Sequence, residues 1–225
     1  LNSMSGETVA ERGYGPRVSP DERYVAFTGW DPNDIGERLH LIPIETGPAV
    51  SVIDDPKRPE LGYLVGGFDW SDDSEQLIEA RWGNRFSVPL IVIYDKELTA
   101  IAEMNIAPFV EPKQKGFGTN FCSPRWLTGS ENVVFIFQPE DASRFCVGKL
   151  IVSDRNLTTS LQLVPGEDFA SPAPAPDGNL LVATRGYYRS GTDIFGSHQR
   201  RESSLWIMNQ DGSDLRLLTD GPGYD

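Results

Sequence analysis

Apolar residues occur along this chain in short bursts, with no long amphipathic stretch. Tyr24-Val25-Ala26-Phe27, Leu39-His40-Leu41-Ile42, Leu90-Ile91-Val92-Ile93-Tyr94, Leu150-Ile151-Val152 and Leu205-Trp206-Ile207-Met208 are typical. Clusters of Gly, Pro, Asp, Asn and Ser separate them. No segment sustains a 3.6-residue apolar period, so no long helix is predicted. Short apolar runs between turn residues predict β-strands, and their even spacing predicts an all-β fold.

The runs recur as a group. Pro16-Arg17-Val18-Ser19-Pro20-Asp21-Glu22-Arg23-Tyr24-Val25-Ala26-Phe27 is followed by Phe68-Asp69-Trp70-Ser71-Asp72-Asp73-Ser74-Glu75-Gln76-Leu77-Ile78. The unit returns at Pro124-Arg125-Trp126-Leu127-Thr128-Gly129-Ser130-Glu131-Asn132-Val133-Val134-Phe135 and at Ala173-Pro174-Ala175-Pro176-Asp177-Gly178-Asn179-Leu180-Leu181-Val182-Ala183. Aligned at the turn, positions 21, 73, 129 and 177 are 52, 56 and 48 residues apart. Such a period marks an array whose units bury their apolar faces against one another.

Each unit predicts four short strands. In the last one, a Pro-rich first strand over 171–175 leads into the tight turn Pro176-Asp177-Gly178-Asn179. A second strand over 180–184, a polar loop over 186–203 and a third strand over 205–209 follow. The Asp-Gly turn Gln210-Asp211-Gly212-Ser213 then leads to an outer strand over 215–219. First strands fall near 16–19, 68–71, 123–126 and 172–175. Four-stranded antiparallel units repeated radially make a β-propeller. The chain reads as one domain over 1–225, with repeats over 14–62, 63–117, 118–168 and 169–225. Residues 1–13 match the tail of the last repeat and read as the outer strand of a preceding blade. Four blades and an orphan strand predict part of a larger ring.

Ser19-Pro20-Asp21 with Tyr24-Val25-Ala26-Phe27, and Leu205-Trp206-Ile207-Met208-Asn209-Gln210-Asp211-Gly212-Ser213 with Leu217-Leu218-Thr219, resemble the WD40-like repeats of the TolB-like propeller family. The second repeat keeps Trp70-Ser71-Asp72-Asp73, and the third has Leu127-Thr128-Gly129 in place of Ser-Pro-Asp. The resemblance implies a periplasmic or otherwise extracytoplasmic protein that binds other proteins. The same propeller also serves peptidases and lyases, so the fold alone does not choose among them.

Charge narrows the partners. The 225 residues carry a formal net charge of −13, which argues against nucleic acid and anionic membrane surfaces. No apolar run approaches the roughly 18 residues of a membrane span, so no direct membrane insertion is expected. The two cysteines, Cys122 and Cys146, sit just before the first and third strands of the third repeat. Two strand spacings, roughly 9.5 Å, exceed a disulfide's reach unless the loops fold inward. A disulfide in an oxidising compartment and two free thiols both remain open.

Candidate chemistry is sparse. The sequence contains no Gly-x-Ser-x-Gly elbow, Cys-x-x-Cys pair, His-Glu-x-x-His motif or phosphate-binding glycine loop. His40 reads as a structural residue of an alternating strand and His198 as a loop residue. Asp31-Pro32-Asn33-Asp34-Ile35-Gly36 fails as a calcium loop, with Ile42 where a bidentate Glu is needed. Asp72 and Asp73 read as turn acids. No catalytic residue, metal ligand or cofactor is therefore expected. Trp30, Trp82, Arg85, Phe86, Tyr187, Tyr188 and Arg189 lie after second strands on one rim, where aromatics and Arg suit protein binding. The expected function is a non-enzymatic interaction propeller, with a propeller portion of a prolyl-oligopeptidase-like hydrolase or a carbohydrate-active propeller as alternatives.

Overall fold

A computed structural model describes residues 13–30, 37–45, 50–51, 64–82, 89–105, 120–139, 147–193 and 196–219. Those residues form sixteen strands and no helix. The first blade comprises β1 (Gly13–Val18), β2 (Tyr24–Trp30), β3 (Glu37–Pro43) and β4 (Val50–Ser51). The second comprises β5 (Leu64–Trp70), β6 (Gln76–Trp82), β7 (Leu90–Asp95) and β8 (Ala100–Asn105). In the third are β9 (Asn120–Trp126), β10 (Asn132–Gln138), β11 (Lys149–Asp154) and β12 (Leu161–Gln162). The fourth holds β13 (Ala170–Pro174), β14 (Leu180–Asp193), β15 (Gly196–Asn209) and β16 (Arg216–Leu217). Each sheet is an antiparallel meander in sequence order, the four-stranded blade predicted from the repeat. Of residues 1–13, read as a preceding blade's outer strand, 1–12 lie outside the described residues and Gly13 begins β1.

Alternation along each second strand gives every blade two apolar faces. One face, bearing Ala26, Ile78 or Val134, packs on the next blade. The other, bearing Leu77, Val133 or Leu181, packs on the preceding one. Three cores result: Ala26, Leu39 and Leu41 against Trp70, Leu77 and Tyr94, Ile78 and Ile93 against Trp126 and Phe135, and Val134 and Leu150 against Leu181 and Met208. Trp70 and Trp126, at the same position of successive first strands, are each 5% exposed.

First strands start two to four residues earlier than the apolar pattern indicates, and each contains a β-bulge. The bulged positions recur with the period of the repeat: Gly15 (φ 61°), Gly67 (φ 111°), Ser123 (φ 49°) and Ser171 (φ 48°). A bulge bends the strand and re-aims the residues after it.

One expectation fails. Residues 186–193 and 196–203, read as loop, lengthen β14 and β15 instead, pairing from Arg185↔Ser204 to Asp193↔Gly196. The segment lacks the apolar alternation that marks a half-buried strand, so its sequence reads as polar loop. Cys122 lies inside β9, opposite Ile136, not before the strand, because the bulge hides the strand's start.

Candidate functional site

The connection between first and second strands is built from short-range hydrogen bonds. Ser19 Oγ donates to Asp21 Oδ1 at 2.6 Å and accepts from the Tyr24 N–H at 3.0 Å, while Asp21 Oδ1 accepts from the Arg23 N–H at 3.1 Å. Ser71, Asp73 and the N–H groups of Gln76 and Glu75 repeat the pattern at 2.6, 2.9 and 3.1 Å. The serine hydroxyl is the largest influence holding each Asp carboxyl below its ordinary range. In the third blade Ser130 Oγ bonds the Leu127 carbonyl and the Asn132 N–H. These acids lock turns, as read for Asp73. Asp72 instead reaches the next blade, accepting from the Gly129 N–H at 2.8 Å.

The residue two positions after each bulge falls in one column of the repeat: Arg17, Asp69, Arg125 and Ala173. Arg17 Nη1 donates to Asp69 Oδ1 at 3.0 Å, and Asp69 Oδ2 accepts from the Trp126 N–H at 3.1 Å. Arg125 Nη1 donates to the carbonyls of Pro124 at 3.0 Å and Phe68 at 3.4 Å. First strands of successive blades are thus stitched together and form the inner strands of the array. Burial pushes the Asp69 carboxyl up against the opposing pull of Arg125 and Arg17. It also pulls the Arg125 guanidinium down. The Arg17 side chain is 40% exposed.

This column lines a cavity of 510 Å³ at the turn end of the inner strands, walled by residues of all four blades, among them Arg17, Asp69, Arg125, Trp126 and Pro174. A second cavity of 270 Å³ lies between the turns of blades two and three, bordered by Asp72, Asp73, Glu131 and Arg155. Arg155 bridges those turns, donating to Gln76 Oε1 at 2.7 Å with its guanidinium carbon 5.9 Å from the Trp126 ring centre. Trp126 borders both cavities. Its buried Nε1 has no hydrogen-bond partner among the described residues, whereas Nε1 of the equivalent Trp70 donates to the Arg17 carbonyl at 3.2 Å. Among the described residues, no group of three or more His, Cys, Asp or Glu is placed to hold a metal.

The rim residues expected to bind a partner lie elsewhere. Trp30 and Trp82 end β2 and β6, so they occupy the end of the blades opposite the turns and both cavities. Tyr187, Tyr188 and Arg189 fall in β14, opposite Glu202, Arg201 and Arg200 on β15. Arg85 and Phe86 lie outside the described residues. His40 is fully buried, stacked on Phe27 with ring centres 5.0 Å apart and with Nε2 3.3 Å from the Gly29 carbonyl oxygen. Cys122 is buried and disulfide-bonded. The only other cysteine in the sequence, Cys146, lies outside the described residues.

Two features escaped the sequence reading. The Arg17, Asp69 and Arg125 column was visible in the aligned repeats, one position before the Trp column. The second is an ion pair inside blade two, where Arg81 Nε donates to Glu79 Oε2 at 3.0 Å with side chains 5% and 1% exposed. Its signal was a Glu and an Arg at alternate positions of an apolar strand. Phe27, Phe135 and Ala183 occupy the position of Glu79 in the other blades.

No family model matches the chain, and no curated protein matches it in sequence. Solved structures do. TolB from Acinetobacter baumannii superposes with a TM-score of 0.59 at 14% identity, over 96% of this chain and 47% of that one. The fold is that of the TolB-like β-propellers. The β-propeller domain of the Trilobed protease from Pyrococcus furiosus gives 0.60 at 16% identity, over 92% and 57%. Puromycin hydrolase gives 0.61 at 13% identity, over 97% and 30%. The chain therefore spans little more than half of these proteins at most. What it shares with them is the TolB-like blade array.

Proposed function

We propose that this chain is a non-enzymatic, protein-binding propeller unit of an extracytoplasmic assembly, and that the turn end of its inner strands receives a segment of the partner. The carrying observation is the 510 Å³ cavity, to which four first strands contribute and at which the half-buried Arg17 and Arg125 flank Asp69. Its lining carries two guanidinium groups, Arg17 and Arg125, and two carboxylates, Asp69 and Asp72, so it offers a partner segment charged anchors of both signs. The disulfide at Cys122 supports an oxidising compartment.

The test is co-purification with the native partner. Arg17→Glu should weaken capture by about tenfold or more, since a charge reversal at a contact costs more than about 1.4 kcal/mol. Trp82→Ala, Tyr187→Ala and Arg189→Ala on the opposite rim, and Arg216→Ala on β16, should leave it within about twofold. Loss of capture in the rim variants with retention in Arg17→Glu would move the binding face to the rim.

The likeness to puromycin hydrolase and the Trilobed protease domain favours a second reading, a propeller portion of a larger hydrolase. Labelling of the native polypeptide by a fluorophosphonate probe would support it. Absence of labelling, with a partner retained, favours the binding unit.

A further inference from the structure

The turns of neighbouring blades meet at three junctions, and the middle one differs from the others. Between blades one and two, the Asp21 N–H donates to Ser74 Oγ at 2.9 Å. Between blades three and four, a Cβ on Gly178 would stand 2.7 Å from the Thr128 carbonyl oxygen, to which Gln210 Nε2 donates at 3.3 Å. Between blades two and three the Gly129 N–H reaches Asp72 Oδ2, yet the 270 Å³ cavity remains beside that bond. Gly129 stands where the other repeats carry Asp21, Asp73 and Asp177. It lines the cavity, and a Cβ on it would meet nothing within 4 Å.

Three carboxylates, Asp72, Asp73 and Glu131, line this cavity against one guanidinium, Arg155. Arg155 is already committed, pairing with Glu131 and standing 3.9 Å from Asp73 Oδ2. The lining therefore keeps an excess of negative charge. On Asp72, the Gly129 N–H takes one of the about four acceptor positions of an ionised carboxylate. Among the described residues no group of His, Cys, Asp or Glu is placed to hold a metal, so the cation this lining fits is an organic one. The volume lies just below the roughly 300 Å³ at which sites for whole small molecules begin, and it suits a single side chain. Asp72 and Trp126 border both this cavity and the 510 Å³ one, so they form the wall between the two. Trp126 is 5% exposed and its Nε1 is unpartnered. A buried donor left unpaired is unfavourable, and an acceptor brought to that wall relieves it.

We infer that the 270 Å³ cavity is a specificity pocket for one basic side chain, lysine or arginine, of the partner segment seated in the 510 Å³ cavity, and that the backbone carbonyl of the same residue accepts from Trp126 Nε1. This rests on the binding reading above and adds the chemistry of the segment. The chain's net charge of −13 draws a cationic segment from a distance. Asp72 and Glu131 then supply the close contacts, and Trp126 fixes where the main chain crosses the wall.

The probe is acetyl-Gly-Lys-Gly amide, titrated into the whole chain carrying ¹⁵N-labelled tryptophan. Five tryptophans give five indole N–H signals. Loss of one signal in Trp126→Phe identifies the one of interest, and Arg155→Lys, which changes the cation beside that ring, identifies it independently. The Trp126 signal should move downfield and saturate with a dissociation constant of order 1 mM, the scale of a single anchor. The norleucine and glutamate versions of the peptide should bind about tenfold more weakly or worse. Asp72→Asn with Glu131→Gln, both at exposed positions, should keep the circular dichroism spectrum and weaken the lysine peptide about tenfold. A Trp126 signal unmoved at about 10 mM lysine peptide would overturn the inference, as would equal binding of the norleucine peptide. Capture of the native partner separates this pocket from the broader reading. If Arg17→Glu loses the partner while the Asp72→Asn, Glu131→Gln chain keeps it, the inference falls and the binding reading stands. If Arg17→Glu keeps the partner while the lysine peptide still shifts Trp126, the pocket stands and the broader reading falls.

Discussion

Two glycines with matched backbones allow the contact between blades three and four to be weighed. Gly129 and Gly178 have φ of 72° and 73°. A Cβ on Gly129 would meet nothing within 4 Å, whereas one on Gly178 would sit 2.7 Å from the Thr128 carbonyl oxygen in the neighbouring blade. Replacing either by Ala imposes the same left-handed strain, about 1 kcal/mol. Gly178→Ala must also push the blade-four turn off a backbone atom that has no rotamer to change. Overpacking of that kind costs about 1–3 kcal/mol more. We therefore expect losses of about 1 kcal/mol for Gly129→Ala and about 3 kcal/mol for Gly178→Ala. A gap of that size corresponds to about 4–8 °C in Tm for a chain of this length. Urea unfolding with matched m-values, alongside calorimetry, measures both. Gly15→Ala, also at positive φ with nothing within 4 Å, is a second control and should behave like Gly129→Ala. Equal losses at 129 and 178 would refute the close approach of the two turns.

Glu79→Ala should cost about 3–5 kcal/mol in urea unfolding, because it removes the buried carboxylate from Arg81; the pair Glu79→Phe with Arg81→Phe, matching Phe135 and Phe137, should recover most of that loss. Asp154 supports the β11–β12 turn: burial opposes its ionisation, but hydrogen bonds from Thr159, Thr158 and Asn156 win and hold its carboxyl well below the usual range. A depressed carboxylate stabilises above its unfolded pKa, so the advantage over Asp154→Asn, about 1 kcal/mol at pH 7, should shrink as pH falls from about 4 toward 2. Cys122 should resist alkylation in denaturant until a reductant is added, and Cys122→Ala should cost about 3 kcal/mol in a thermal melt.

The blades were legible because their signals are local. Ser19-Pro20-Asp21 and Gln210-Asp211-Gly212-Ser213 announce turns through their own side chains, and the runs between them have strand length. The bulges were not, because bending at Ser123 and Ser171 comes from pairing with β10 and β14, which no local residue preference records. The β14–β15 extension was missed because 186–203 shows no apolar alternation, the signal by which a strand is read from sequence. The cavity was half legible. Repeat alignment places Arg17, Asp69 and Arg125 in one column, but only the closeness of the first strands converts that column into one site.

The ion pair of blade two bears on docking order. Repeats with similar apolar faces could assemble out of sequence, blade against wrong blade, with little loss of hydrophobic contact. Glu79 and Arg81 lie on the face that meets blade one, whose register position holds Ala26, the smallest residue of a series that continues as Ile78, Val134 and Val182. Shifted onto blade two of another molecule, or onto blade three, blade two would meet a branched side chain where blade one presents an alanine. A misassembled or swapped array would then carry two desolvated charges in an environment not shaped for them. A buried ion pair carried by one blade of the four thus gives blade two its address.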